Sequence, residues 1–266
     1  MGKIKFKKDA LGTRMKEFYE NRTRFSLPRR TYTIIRIDGK AFHTYTKGLV
    51  KPFDAGLIED MDNTACYLCE KIQGAKMAFV QSDEISILLT DFDKLTTDAW
   101  FDGNIQKIVS VSASMATAKF NQLRIIRKLN QPNLFGNIPF TITIIEKLKL
   151  AEFDSRTFII PTLVEVENYF IWRQQDTVRN SISSVAQSLF STEELKNINT
   201  KEQKEMCFIK GVDWNDYSIK EKRGRLILKT TYLKNDVERS IWESVDSPNF
   251  TEDRSIFKLL TEPEES

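Results

Sequence analysis

Thr33-Ile34-Ile35-Arg36-Ile37-Asp38-Gly39-Lys40-Ala41-Phe42-His43 decides how the rest of the chain is read. A run rich in β-branched residues reads as a short buried strand. It ends in a carboxylate, a glycine follows, and the chain turns through Lys40 to His43. A carboxylate at a strand end, followed by a tight turn, can hold a metal against a phosphate. Such a site needs a second half from elsewhere in the chain.

Downstream, Pro52 opens a helical pattern. Phe53, Leu57, Ile58, Met61, Ala65, Leu68, Cys69 and Ile72 recur at helical steps and form one continuous face, which Gly74 ends. Two short apolar runs, 75–80 and 85–89, are joined by Gln81-Ser82-Asp83-Glu84. They read as a hairpin whose turn type the sequence leaves open. A long helix is expected over 101–128, with Ile105, Ile108, Val109, Ser112, Met115, Ala116 and Phe120 on its buried side. A loop with Pro132, Gly136 and Pro139 precedes a strand at 157–160. Helices are expected over 162–173, 178–190 and 202–209, and a strand over 225–232; the last thirty or so residues receive no assignment. Upstream, Leu11, Met15, Phe18 and Tyr19 give residues 9–25 a helical spacing.

The order strand, helix, strand, strand, helix, strand is a split βαβ pattern. It predicts an α+β fold, an antiparallel sheet with helices on one face. Residues 1–160 are expected to form the catalytic domain with its N-terminal helix. Residues 161–266 are expected to add a helical extension with a late strand, continuous with that core.

Bulk composition excludes more than it selects. The chain has 266 residues, 41% hydrophobic and 29% charged, enough to bury a core and unlike a disordered chain. With 40 basic and 37 acidic residues, the net charge of +3 does not by itself mark a nucleic-acid binder. The charge is uneven: Lys3, Lys5, Lys7 and Lys8 start the chain, Arg22, Arg24, Arg29 and Arg30 precede the opening strand, and residues 262–265 are acidic. A basic face for phosphates and a solvated arm both fit. Three cysteines, Cys66, Cys69 and Cys207, argue against a disulfide framework. Cys66 and Cys69 sit inside a helical pattern without a second pair, so they read as core rather than zinc or redox ligands. No signal-length apolar stretch follows the first lysines, and no run of about 18 apolar residues occurs. The expectation is a soluble protein of the cytoplasm, or of an organellar matrix if eukaryotic, with no membrane partner.

The chemistry gathers at two places. Asp38 ends the first strand, and Asp83 and Glu84 lie at the hairpin that a split βαβ sheet sets beside it. Two carboxylates held close at neutral pH repel unless a cation neutralises them. Magnesium is usually held by one or two carboxylates plus substrate phosphates. The Gly39 carbonyl is a plausible further oxygen, and two such ions are standard apparatus for in-line nucleotidyl transfer. Backbone N–H groups from Gly39, Lys40, Ala41, Phe42 and His43 would face a triphosphate. Lys51 and Lys107 are candidate phosphate contacts. His43 is the single histidine, and it reads as a turn residue or phosphate contact before a general base. No P-loop or G-x-G-x-x-G motif occurs. Two polar turns at one sheet edge is the reading that chemistry must beat.

Arg36 to His43, Lys51-Pro52-Phe53-Asp54 and Gln81 to Ser86 closely resemble the tRNA-His guanylyltransferase superfamily. So do Tyr169-Phe170-Ile171-Trp172-Arg173-Gln174-Gln175-Asp176, Lys210-Gly211 and Lys222-Arg223-Gly224. The resemblance runs from about residue 10 to 232. It implies a polymerase- or cyclase-like palm that adds nucleotides to the 5′ end of tRNA in the 3′-to-5′ direction. ATP would first activate a monophosphorylated end as a 5′-adenylate, which the 3′-hydroxyl of GTP or another NTP then attacks. It also implies two Mg2+ ions on Asp38, the Gly39 carbonyl and Asp83, with Glu84 as an acidic catalytic neighbour. The turn to His43 and Ser82 would cradle the triphosphate. Lys51, Asp54 and Lys107 match nucleotide contacts, Arg156 matches a nucleotide or 5′-end contact, and Arg173, Arg179 and Asn180 stand for tRNA contacts. Family members are usually tetramers, so a homotetramer is implied.

One departure bears on substrate. Enzymes dedicated to tRNA-His carry His-Ile-Asn-Asn where this chain has Val178-Arg179-Asn180-Ser181. The broken signature resembles the guanylyltransferase-like branch, whose members copy a template and repair 5′-truncated tRNAs. Guanylate addition to tRNA-His, a catalytically silent tRNA-binding palm and a nucleotide cyclase are the competing readings.

Overall fold

The computed structural model describes residues 10–130 and 149–261. The loop expected around Pro132 to Pro139, the first four lysines and the acidic 262–265 segment lie outside those residues.

The elements, in chain order, are α1 (Ala10–Phe18), β1 (Tyr32–Gly39), the single turn α2 (Phe42–Tyr45), α3 (Ala55–Lys71), β2 (Ala75–Gln81) and β3 (Glu84–Leu89). Then come α4 (Ile105–Leu129), β4 (Phe153–Ile160), α5 (Leu163–Leu189), α6 (Thr200–Ile209), α7 (Ile219–Arg223), β5 (Arg225–Lys234), β6 (Val237–Asp246) and α8 (Ser255–Thr261). The sheet order is β4-β1-β3-β2-β5-β6, with every neighbouring pair antiparallel. β1 and β2 flank β3, so the split βαβ pattern read from the sequence is present.

Strand alternation divides the core in two. Ile35, Ile37, Ala78, Val80, Ile85 and Ile87 point to one face, against Met61, Ala65 and Leu68 of α3 and Ala116 and Phe120 of α4. Ile34, Met77, Phe79, Leu88 and Leu226 point to the other, against Val166, Tyr169 and Phe170 of α5 and Phe257 of α8. The two crossover helices share one face, as the pattern predicts, and the helical extension covers the opposite one. Cys66 packs on the first core and Cys69 lies within it, both as free thiols. Among the described residues no helix is long and apolar enough to cross a membrane.

Several boundaries differ from the sequence reading. α3 starts at Ala55 rather than at Pro52, because Asp54 caps it through Leu57 N at 2.7 Å. The helices expected over 162–173 and 178–190 are one helix, α5. Its apolar rhythm lapses at Gln174 and Thr177, which are buried by polar bonding instead. Gln174 donates to Ser247 Oγ and to the Pro248 carbonyl, and Thr177 donates to Gln81. β4 begins four residues early because Asp154 and Arg156 face outward and hide the alternation. β6 escaped the sequence reading altogether. It is joined to β5 by Asn235 and Asp236, both at positive φ, as a tight hairpin loop requires. α1 is shorter than 9–25, and its Leu11, Met15 and Phe18 are exposed.

Candidate active site

The site is built at the C-terminal end of β1. Side chains two residues apart on a strand share a face, so Asp38 stands on the same face as Arg36 and Ile34. Asp38 is the Cα partner of Glu84 on β3 and of Asp154 on β4. Arg36 is likewise the partner of Ser86 and Arg156. An acidic row and a mixed basic row therefore cross the sheet one behind the other. The second half of the site is the β2–β3 turn. Only Ser82 and Asp83 separate Gln81 from Glu84, and Ser82 holds φ +43 to close the loop. The Ser82 hydroxyl bonds the Asp83 carboxylate.

Burial raises the Asp83 carboxyl to about 6, with the charges of Asp38 and Glu84 adding to it and the Ser82 bond opposing. Burial also raises Asp38, and the nearby Glu84 charge pushes the same way. Two carboxylates that resist ionising in the bare protein are a fit to a hard divalent cation. Among the described residues, no group of three or more His, Cys, Asp or Glu side chains could hold a metal alone. Magnesium bound at Asp38 and Asp83 would complete its shell with backbone, water and phosphate oxygens, as that ion commonly does.

Gly39 is required by packing. A Cβ there would lie 2.3 Å from Cδ2 of Phe42, whose ring is buried against Tyr45, Phe120 and Phe153. That ring folds the chain back into α2, with Ala41 at φ +50. The Lys40 N–H is taken by the Glu152 carbonyl, and its ammonium pairs with the Glu152 carboxylate at 2.6 Å. Ala41, Phe42 and His43 keep N–H groups with no partner among the described residues, so three of the expected cradle donors are free. His43 is exposed and touches Thr44 Oγ1 at 3.0 Å, and no general-base partner stands beside it among the described residues.

A cavity of about 360 Å³ opens beside this turn. Ser82 and Asp83 form one wall, Pro52, Phe53 and Asp54 another, and Asn180, Ser183 and Gln187 of α5 a third. Lys51 is exposed next to the second wall. Asp54 lines the cavity, but its two oxygens already accept from Leu57 N and Val50 N. Its first task is therefore to shape the wall.

Other expected site residues stand elsewhere or do something else. Glu84 is buried, and Arg173 grips it through Nε and Nη2 at 2.8 Å each, with Arg36 at 2.6 Å. It is spent on holding α5 to the sheet rather than free for an ion. Arg173 is for the same reason closed to RNA, at 4% exposure. Lys107 lies in the first turn of α4, where Ile105 N bonds the Phe25 carbonyl ahead of β1, at the end of the strand away from Asp38. Its ammonium sits 5.7 Å from the Phe101 ring. Arg156 is exposed on the site face and pairs with Asp154 at 3.0 Å. Arg179 is exposed beside Asp176.

Arg36, Asp154 and, beyond the expected Asn180, the rest of the α5 wall were missed. The signal for the first two was the strand period: each stands two residues from an expected site residue. The cavity wall had no such signal, because Ser183 and Gln187 read as an ordinary polar helix face.

The profile of the tRNAHis guanylyltransferase family matches residues 12–161. A bacterial tRNA(His) guanylyltransferase-like protein solved in complex with ATP is 45% identical, with a TM-score of 0.80 over 96% of this chain and 100% of its own. A structure of such a bacterial protein with GTP is 44% identical, with a TM-score of 0.78 and the same coverage. The tRNA(His) guanylyltransferase of Debaryomyces hansenii is 28% identical over 222 residues, 78% of this chain and 77% of its own.

Proposed function

The chain belongs to the tRNAHis guanylyltransferase family, and we propose that it is a template-dependent 3′-to-5′ nucleotidyltransferase acting on 5′-truncated tRNA. The observation that carries this reading is the meeting of Asp38 and Asp83 at one sheet end, with a nucleoside-sized cavity opening between Ser82-Asp83 and α5. The bacterial relatives solved with ATP and with GTP support nucleoside triphosphates as substrates.

In the first step, an oxygen of the tRNA 5′-monophosphate attacks the α-phosphorus of ATP and pyrophosphate leaves. In the second, the 3′-hydroxyl of the incoming NTP attacks the 5′-phosphorus, AMP leaves and the hydroxyl proton goes to solvent. A 5′-triphosphate end would release pyrophosphate directly. Two bound Mg2+ ions would supply Lewis-acid stabilisation of the phosphate oxygens. Asp38, Asp83 and the Gly39 carbonyl would hold them. The free N–H groups of Ala41, Phe42 and His43 would orient the triphosphate, with Lys51 and Ser82 at its edges. Arg156, Arg179 and Asn180 face the tRNA end. Lys107, remote within one chain, contacts nucleotide here only if another copy delivers it.

Template dependence rests on the wall of the cavity. Ser181, one of the positions where the His-Ile-Asn-Asn signature is broken, lines it together with Asn180, the one position of that signature that is kept. The departure therefore falls within reach of the chemistry. Self-association is supported by uncovered apolar surface, on α1 and on Leu233, Val237 and Ile241 of the β5–β6 hairpin. Light scattering should give a multiple of the 30.9 kDa chain, with a tetramer expected.

The deciding experiment offers the protein two RNAs with Mg2+, ATP and all four NTPs. One is a tRNA lacking its first nucleotide, and the other is full-length tRNA-His. Templated extension of the first is the expected product. Guanylate addition to tRNA-His alone would replace this reading by the older family activity. Tight binding without any turnover would replace it by the silent palm.

A further inference from the structure

Trp172 stands one residue before the arginine that grips Glu84, and it is 49% exposed. Tryptophan is highly buried on average, so half an indole in water beside a polar site asks for a partner. The ring is also held still. It meets Tyr169 edge-on at 5.9 Å, and the Arg173 guanidinium lies 4.5 Å from its centroid. Both supports are themselves anchored. Tyr169 bonds Ser86 at 2.8 Å and packs on Phe158, while Arg173 is locked to Glu84. The indole is thus a preorganised π surface with little rotamer freedom to lose on binding.

Its neighbours on the site face are graded by chemistry. The acidic row Asp154, Asp38 and Glu84 is followed by Arg156, Arg36 and Ser86, then by Phe158, Ile34 and Leu88. Successive rows are about 7 Å apart along the strands. Arg156 is 53% exposed in the middle row. Arg179 is 52% exposed and lies seven residues beyond Trp172, on the same stripe of α5. An exposed aromatic ring with exposed arginines on two sides is the arrangement that binds a base with its backbone phosphates.

We propose that Trp172 is the stacking platform for the terminal base at the tRNA 5′ end, with Arg156 and Arg179 on the adjoining phosphates. This rests on the tRNA-extension reading above. The cavity beside Asp83 is the place proposed above for the incoming nucleotide, which leaves the indole to the RNA.

The test uses the full chain, a 5′-monophosphorylated truncated tRNA and the variants Trp172→Leu and Trp172→Phe. Leucine keeps apolar bulk without a π face and should raise KM for tRNA about tenfold, with KM for NTP unchanged. Phenylalanine keeps a ring and should stay near the wild type. Trp emission of the wild type should be quenched by the tRNA, and Trp172→Phe should lose that quench. An unchanged tRNA KM in Trp172→Leu, a rise confined to the NTP, or a quench that survives in Trp172→Phe would overturn the assignment. Wild-type failure to extend any tRNA would instead overturn the functional reading. In that case the Kd of the same RNA, weakened about tenfold in Trp172→Leu or not, still decides the platform.

Discussion

Arg173 holds both carboxylate oxygens of Glu84 at 2.8 Å, and both side chains are nearly closed to solvent. The pair joins α5 to β3 directly behind the Asp38–Asp83 centre. Arg36 adds a second cation to Glu84 Oε2, and its Nε is buried with no partner among the described residues. A buried pair is weak evidence of net stability, but breaking one side of it leaves a charge in a poor solvent. Arg173→Met should therefore cost about 3 kcal/mol, read as a lowered urea midpoint. Glu84→Gln should lower stability too, while Mn2+ binding followed by EPR is kept. Loss of metal binding in Glu84→Gln at unchanged stability would instead make Glu84 an ion ligand.

That relationship marks the limit of what was legible in sequence. Gln81 to Ser86 opens with four polar positions in a row, and a motif cannot say which point inward. The register decides it: Glu84 opens β3 and faces α5, whereas Asp83 stays in the turn. The strand-helix order, the hairpin and the placement of Asp38 beside it were readable because each rests on local periodicity. The settings of Arg173 and Lys107 were not legible because they depend on how a helix docks, which periodicity does not carry. The β6 strand was lost for a related reason. Most of it is exposed, so no apolar alternation announces it, and only Asn235-Asp236 signalled a turn.

Asp83→Asn should separate chemistry from stability. The carboxylate is buried and faces further negative charge, so its ionised form is held at a cost in the metal-free protein. An amide of the same shape should abolish Mg2+-dependent 5′ extension. In EDTA at pH 7 the variant should be more stable than the wild type by roughly 1–2 kcal/mol. Equal or lower stability would mean that the carboxylate is already compensated without metal.

Gly39→Ala tests the turn. Phe42 cannot swing away from the added methyl, since its ring is packed against Tyr45, Phe120 and Phe153. Overpacking of this kind costs about 1–3 kcal/mol. The expected variant melts lower and loses extension more steeply than stability, because the N–H groups of Ala41 to His43 shift with the ring. A wild-type melting curve with full activity would show that the turn adapts freely.

The thiols should be slow. Burial, reinforced by the charge of Asp62, pushes the Cys66 thiol up to about 11. Burial, with the neighbouring Cys66 adding to it, carries Cys69 well above its usual range, and burial alone raises Cys207. The thiolate is the reactive form, so a raised value lowers reactivity at every pH below it. Alkylation of native protein at pH 8 should be slow at all three sites, and that at Cys66 should still climb between pH 8 and 10. Denaturant should release all three. One rapid equivalent in the native state at pH 8 would contradict this burial.

Restoring the tRNA-His signature should fail at one position for a structural reason. Val178 is half-buried and Arg179 exposed on α5, so Val178→His and Arg179→Ile should be tolerated. Ser181 is different. It is 4% exposed, accepts from Trp214 Nε1 at 3.0 Å, and has the carbonyls of Val178 and Lys222 at 2.8 and 3.2 Å for its one proton. An asparagine there, at the edge of the cavity, displaces the hydroxyl from its bonds to Trp214 and the two carbonyls and should cost about 1–3 kcal/mol. Melting temperatures of the three single variants check this order. If Ser181→Asn melts like the wild type, the 178–181 segment is free to change, and its composition in this chain reflects substrate alone. If it melts lower, the segment is tied to Trp214 and α7. Substrate choice would then have to be retuned together with that packing, through neighbours that accommodate the larger side chain.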